Sequence, residues 1–215
     1  MIKIENTEVV GWEHAIRGMR NPKNSWDKSD SGYVVNDIEK PYSEWEGFSV
    51  GPNDKELMQK LCKAGTDHRK FMRMIVVYAD ITAPLYFWKE FDTYKVGTVA
   101  NSCSTMHKIA DKEFTLGDFS TEKMVNRYVL NLVIEELNRL RKHYLEDKEK
   151  AYWYSMIQLL PSSYNQRRTV MLNYEVLANI YKSRRNHKLD EWVEFCKIIE
   201  TLPHSEFITQ KFSEK

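Results

Sequence analysis

The sequence predicts an α+β protein. Three observations carry this expectation. Residues 74–81 (MIVVYADI) are rich in β-branched side chains and read as a buried strand. Ile2 and Ile4 alternate at the start as in a second, short strand, and the remainder of the chain repeatedly places apolar residues at helical spacing. A chain of 215 residues lies near the upper end of the single-domain range, so one domain spanning 1–215 with its own core is expected.

Taken in order, residues 8–19 read as a helix that closes at Asn21-Pro22, because a residue before proline is pushed out of the α region. Residues 21–52 are dense in Ser, Asp, Asn, Gly and Pro. Trp26, Tyr33, Tyr42, Trp45 and Phe48 are interleaved there, which predicts a long ordered loop with a small hairpin rather than a linker. Asn53 and Asp54 offer an N-cap for a helix running to Ala64, and Gly65 is placed to end it in the left-handed conformation. Pro84 then opens an aromatic helix over 85–92.

Ser120 is expected to cap a long helix to about residue 146, with Val125, Val129, Leu132, Leu140 and Tyr144 on one face. A helix over 149–159 is stopped by Pro161, and residues 168–185 read as another. Leu189, Trp192, Cys196 and Ile199 mark an amphipathic helix before Pro203.

Apolar residues make up 42% and charged residues 29%, with six Trp, twelve Tyr and nine Phe, the profile of a folded globular chain rather than a disordered one. Lys plus Arg number 32 against 31 Asp plus Glu, so the net charge supplies no long-range attraction to nucleic acid or an anionic membrane, and neither is expected as a partner. Any anion site must be local. Cys62, Cys103 and Cys196 are widely spaced and lack a C-x-x-C, which argues against a disulfide framework or a zinc site. With no signal-peptide pattern and no membrane-length apolar run, a soluble cytoplasmic protein is expected.

No G-x-G-x-x-G, Walker loop, G-x-S-x-G or H-E-x-x-H occurs, so a dinucleotide is not held by a Rossmann turn. Asn173, Leu177, Ile180 and Arg184 fall at i, i+4, i+7 and i+11. On a helix they form one stripe, in which Asn173 either satisfies a backbone group while Arg184 pairs with a carboxylate, or both face a ligand. Basic pairs at Arg17/Arg20, Arg69/Lys70/Arg73, Arg167/Arg168 and Arg184/Arg185 are either phosphate grips or solvated faces. His68, His107 and His187 stand alone in sequence and read as structural. Cys103 has no base beside it.

Residues 79–107, ADITAPLYFWKEFDTYKVGTVANSCSTMH, resemble the signature region of flavin-dependent thymidylate synthases. There an Ala-Pro and an aromatic helix lead into R-H-R-x-x-S and then N-E-x-S-x-R. Aligning Ala83-Pro84 with that Ala-Pro puts His68 where the family carries a flavin-contacting histidine. Downstream, LLPSSYNQRRTVMLNYEVLANIYKSRR resembles the second block, with Leu160-Pro161, Asn173 and Arg184 in the family's places. The resemblance spans roughly 68–202. It implies a central, mostly antiparallel sheet flanked by helices, the fold of thymidylate synthase-complementing proteins.

Several positions depart from the pattern. R-H-R-x-x-S becomes Thr93-Tyr94-Lys95-Val96-Gly97-Thr98, in which one lysine stands for two arginines and cannot reproduce their planar fork. With one inserted residue, Asn101 and Ser104 match the second motif, while Ser102 replaces its Glu and Met106 its Arg. Glu175 stands where the family has an arginine, and uncompensated it would repel a phosphate by several kcal/mol. Arg167 and Arg168, or Arg17 and Arg20, are the expected compensation.

The resemblance implies bound FAD, with His68, Tyr94, Lys95, Thr98 and Asn173 toward the cofactor. Glu90, Asn101, Ser104, Arg167, Arg168 and Arg184 would lie toward the substrate. It implies transfer of a methylene group from methylenetetrahydrofolate to dUMP, reduced by a hydride from NADPH by way of FAD, in sites between subunits of a homotetramer. No catalytic side chain and no metal ligand is singled out. Two alternatives follow from the departures: a related flavin reaction on another pyrimidine nucleotide, and a non-catalytic descendant that binds a nucleotide or a protein.

Overall fold

The computed structural model describes residues 2–34 and 47–212. Its centre is the antiparallel pairing of β4 (Val76–Pro84) with β6 (Asn165–Asn173), in register from Val76 opposite Asn173 to Pro84 opposite Asn165. β1 (Lys3–Val10) joins the free edge of β4 and β5 (Val99–Ser102) that of β6, both antiparallel, giving the order β1-β4-β6-β5. The antiparallel sheet and the α+β class are as expected.

Side chains alternate across this sheet with a period of two. Val77, Ala79, Ile81 and Ala83 of β4 and Val170 and Leu172 of β6 are buried. They share one core with Phe87, Trp88 and Phe91 of α3 (Leu85–Phe91), Leu177 and Ile180 of α7 (Tyr174–Arg184), and Trp192 and Phe195 of α8 (Asp190–Glu200). Tyr78 and Val99 point to the other face and are exposed, in a row with Glu5, Asp80, Arg167 and Thr169. A second, smaller core lies between α5 (Tyr128–Asp147) and α6 (Lys150–Leu159), built on Leu130, Ile134, Leu137, Leu140, Met156, Phe114 and Phe119. No helix among the described residues is long and apolar enough to cross a membrane.

Several local expectations are corrected. Residues 8–10 continue β1, because Val9 and Val10 pair with Val77 and Val76, and the helix begins only at α1 (Trp12–Arg20). Gly11 makes the break: its φ is +93°, and a Cβ there would lie 2.2 Å from the Met74 carbonyl oxygen. Residues 168–173 are strand rather than helix, and Asn173 is the N-cap of α7. Ser120 caps no helix, since its hydroxyl donates to Asn165 Oδ1 at 2.8 Å and α5 starts at Tyr128. Of the five residues expected on the buried face of that helix, Val125, Val129 and Leu132 are exposed. The helix is apolar on two stripes near its start, and the smaller core selects the other one.

α2 (Pro52–Ala64) is capped from outside its own sequence. Asp30 accepts hydrogen bonds from the backbone N–H groups of Asn53 (2.8 Å) and Asp54 (3.1 Å). Gly65 has the expected positive φ (109°), but with an extended ψ of 179° rather than the left-handed helical value. Pro84 is the N-cap of α3 rather than its first helical residue. β2 (Gly32–Tyr33) and β3 (Phe48–Ser49) form the hairpin expected in the aromatic-rich loop, whereas Tyr42 and Trp45 lie outside the described residues.

Asp54 instead organises this loop. Arg20 Nε donates to Asp54 Oδ1 at 2.6 Å, and the Ser29 and Ser31 hydroxyls and the Asp30 N–H converge on Oδ2. Arg20 also donates to the carbonyls of Ser25 and Lys28. Burial alone would raise the Asp54 pKa, but the Ser31 and Ser29 hydroxyls and the Arg20 guanidinium outweigh it and hold the carboxyl below its ordinary value. Asp54→Ala strands a buried arginine and is expected to cost about 3–5 kcal/mol in urea unfolding at neutral pH. A depressed folded-state pKa stabilises above the unfolded value and is lost as pH falls through the folded one. The gap between wild type and variant should therefore close below about pH 4.

Candidate functional site

α3 leaves β4 at its Pro84 end and α7 leaves β6 at its Asn173 end. Because those strands are antiparallel, the two helices begin at opposite ends of the sheet, and both pack into the core on the same face. The turn after α3 leads into β5, whose pairing with β6, Val99 opposite Met171, carries it to the start of α7. The contact is close: Gly97 has φ +78°, and a Cβ on it would lie 2.5 Å from Asn173 Nδ2. Asn173 accepts a hydrogen bond from the Val176 N–H through Oδ1, leaving Nδ2 turned toward that turn.

Arg184, in the last turn of α7, ties the assembly together. Its Nε donates to the Tyr94 hydroxyl at 2.9 Å and its Nη1 to Glu90 Oε2 at 2.5 Å, and the guanidinium lies 4.9 Å from the Trp192 ring centroid. Trp192 Nε1 donates to the same Glu90 oxygen at 3.1 Å. His187 sits beside them, with Nδ1 accepting from the Leu189 N–H. Of the two readings of the Asn173 to Arg184 stripe, the geometry matches the one with a capped backbone and a paired arginine.

Beside this network, Phe91, Asp92, Tyr94, Lys95, Thr98 and Ala100 line a cleft of about 230 Å³. Two of its groups are uncommitted. Thr98 Oγ1 is buried with no hydrogen-bond partner among the described residues, and Lys95 has no carboxylate within salt-bridge distance there. A buried hydroxyl without a partner carries a desolvation cost of about 1–3 kcal/mol, which a bound polar ligand would relieve.

The arginines are otherwise committed. Arg168 donates to Asp92 Oδ1 at 2.7 Å and stacks 4.3 Å over Trp88, and Arg167 donates to Asp80 Oδ2 at 2.8 Å. Asp80 also accepts from the Thr169 hydroxyl and the Asn6 amide, and the Thr169, Asn6 and Arg167 contacts together hold it well below the usual carboxylate range. Glu175 is buried and receives a two-pronged pair from Arg69, Nε to Oε2 at 2.8 Å and Nη2 to Oε1 at 2.9 Å. The compensation for Glu175 thus comes from Arg69, not from Arg17, Arg20, Arg167 or Arg168.

Glu90, Tyr94, Lys95, Thr98, Arg168 and Arg184 therefore gather on one side of the sheet, whereas Asn173, at the end of β6 and in the strand parity of Arg167 and Thr169, meets this group through the turn at Gly97. Asn101 lies opposite Thr169 and, like Arg167, belongs to the other face. Ser104 caps α4 (Thr105–Lys108) by accepting from the His107 N–H. His68 is exposed in the turn before Arg69. Gly97 and the Arg69 partnership escaped the sequence reading. The glycine was readable as a tight-approach position, but an ion pair 106 residues apart leaves no local signal.

Cys62 and Cys196 are buried and offer no nucleophile. Burial pushes the Cys62 thiol up to about 12 and Cys196 up to about 11, keeping both protonated. No group of three His, Cys, Asp or Glu side chains among the described residues is placed to hold a metal ion.

Two variants test this geometry. Glu175→Ala leaves Arg69 buried and unpaired and is expected to lower stability by about 3–5 kcal/mol, whereas Arg69→Met with Glu175→Leu should recover most of that loss. Thermal unfolding of the three proteins measures both effects.

No protein-family model matches the sequence, and no curated protein matches it. Solved structures do. Thymidylate Synthase X (ThyX) from Helicobacter pylori with FAD and dUMP superposes with a TM-score of 0.70 at 15% identity, covering 96% of this chain and 96% of that one. A second structure of the flavin-dependent thymidylate synthase ThyX from Helicobacter pylori, also complexed with FAD and dUMP, gives 0.69 at 15% identity over 98% and 100%. The UMP/dUMP methylase PolB from Streptomyces cacaoi, bound with 5-Br UMP, gives 0.60 at 14% over 94% and 88%. At these identities the likeness is one of fold, and over nearly its whole length this chain has the fold of the flavin-dependent thymidylate synthases.

Proposed function

We propose that this protein is a divergent member of the flavin-dependent thymidylate synthase family, a cytoplasmic enzyme that binds FAD and a pyrimidine nucleotide. One observation carries the reading: the turn Tyr94 to Thr98 meets Asn173 and Arg184, and it brings to one cleft a buried Thr98 hydroxyl and a Lys95 ammonium that have no partner among the described residues. FAD would be held there by Tyr94, Lys95, Thr98 and Asn173, with His68 the outlying flavin contact. Bound flavin supplies the hydride chemistry, so no activated side chain has to be found. By this reading the substrate is dUMP, which receives a methylene group from methylenetetrahydrofolate and a hydride originating in NADPH.

The chain's own contribution is placement and charge. Lys95 puts one positive charge where a phosphate can lie, and Thr98 offers a hydrogen bond beside it. Arg184 holds the Tyr94 ring in position while its own charge is spent on Glu90. The substrate-side residues Asn101 and Arg167 are separated from the cleft by the sheet, which favours a site completed by another subunit of a homotetramer. Val99 and Tyr78 on that open face, and Val129 and Leu132 on α5, are exposed apolar surface available for such contacts.

The pairing of Arg168 and Arg184 with intrachain carboxylates favours one second reading, a non-catalytic descendant that binds a nucleotide in the old cleft. The visible spectrum of the purified protein, followed by FAD titration with and without dUMP, separates the two. Flavin bands that persist through gel filtration are expected, with NADPH oxidation dependent on dUMP or a related pyrimidine nucleotide. A colourless protein indifferent to saturating FAD sinks the enzyme reading. Lys95→Ala should weaken FAD by about tenfold, the loss of one charge-assisted hydrogen bond, without changing the unfolding midpoint.

A further inference from the structure

The junction between α5 and α6 carries a second cleft, remote in composition from the first. It measures about 320 Å³ and is lined by Met106, His107, Tyr144, Lys148, Lys150 and Trp153. That size lies at the low end of small-ligand pockets, about 300–1,000 Å³. Its chemistry divides cleanly into a flat apolar floor and a cationic rim.

The floor is fixed. Trp153 Nε1 donates to the Met106 carbonyl at 2.8 Å, which pins the indole against α4, and Tyr144 lies on the last full turn of α5. Met106 is half exposed and adds a polarizable thioether. The rim is positioned by backbone rather than by carboxylates. Lys148 ends α5 in the left-handed conformation (φ +58°), its N–H donating to the Tyr144 carbonyl, and Lys150 begins α6. Their ammonium groups stand 5.3 Å from the Tyr144 ring centroid and 5.2 Å from the Tyr154 ring centroid. Neither has a carboxylate within salt-bridge distance among the described residues, although Asp147 and Glu149 flank them in sequence. In this respect they differ from the arginines of the first site, all of which are neutralised.

We infer that this cleft binds a small phosphorylated aromatic ligand, a nucleoside monophosphate, with the base against Trp153 and the phosphate between Lys148, Lys150 and His107. A stacked ring and a cationic rim at one cleft are the two halves of that ligand class, since base stacking on an aromatic side chain is tolerant of base identity while charge-assisted bonds select the phosphate. The inference stands independently of the flavin reading, because none of these six residues lines the cleft at Lys95 and Thr98.

Calorimetric titration of the whole protein with AMP, adenosine and inorganic phosphate tests it. A purine is chosen so that the pyrimidine site proposed above does not account for the signal, and a Lys95→Glu variant separates it from binding of the adenylate half of FAD at the first cleft. AMP should bind more tightly than either fragment. Lys148→Glu with Lys150→Glu should weaken AMP by at least about tenfold, two charge-assisted contacts being lost, while Lys95→Glu leaves it unchanged. Both lysines are exposed, and near-unchanged unfolding midpoints of the variants confirm that a loss of binding is not a loss of fold. Equal binding of AMP by wild type and the double variant overturns the proposal. So does phosphate binding as strong as that of AMP, loss of binding in Lys95→Glu alone, or no heat of binding in the wild type. Each of these outcomes leaves the flavin titration of the first cleft to be read separately.

Discussion

The antiparallel register of β4 and β6 sets where the helices of the larger core can start. Helices leaving each strand at its C-terminal end begin at opposite ends of the sheet. The end of α3 meets the last turn of α7 through Glu90 and Arg184, and the pairing of β5 with β6 brings Gly97 to Asn173 at the start of α7 without any long connection. A one-residue slip in this pairing would turn Val77, Ala79 and Ile81 to the solvent face and expose the core to which both helices are anchored. The site is in this sense a by-product of strand pairing, and its precision is inherited from the sheet.

Polar groups then fix what packing leaves adjustable. Arg20 with Asp54 gathers the loop after α1 around the start of α2, and Arg69 with Glu175 locks the turn before β4 to the first turn of α7. Such pairs need not be net stabilisers relative to apolar replacements, but they are costly to break, and they admit only one arrangement of the segments they join. The chain uses them where no regular secondary structure spans the connection.

The sequence was most readable where one face alone is buried and the pattern has a single solution. The central strand, the aromatic helix after Pro84 and the helix around Trp192 all appeared at their expected places. It was least readable where two periods compete. Residues 168–173 carry alternating burial, yet they precede a true helical stripe, and the two were merged into one helix. α5 offered two apolar stripes, and only tertiary packing decided between them. The resemblance in motif order and spacing pointed to the fold that the chain shares with those solved structures, while Glu175 showed the limit of that reading. Its sign suggested a repelled phosphate, and its partner was an arginine that no local pattern connects to it.

The committed state of the arginines also bears on how a ligand arrives. Arg20, Arg69, Arg167, Arg168 and Arg184 each face a carboxylate within hydrogen-bonding distance, so their fields largely cancel beyond the pair itself. A molecule with nearly balanced total charge and internally cancelled arginines has little means of drawing an anion in from a distance. Encounter at the cleft between α3 and β5 is then governed by orientation and by the single charge of Lys95 at short range, with association near the unsteered range of about 10⁵–10⁶ M⁻¹s⁻¹ and only weakly dependent on ionic strength. Selectivity in such a protein resides in how long a ligand stays rather than in how fast it is captured.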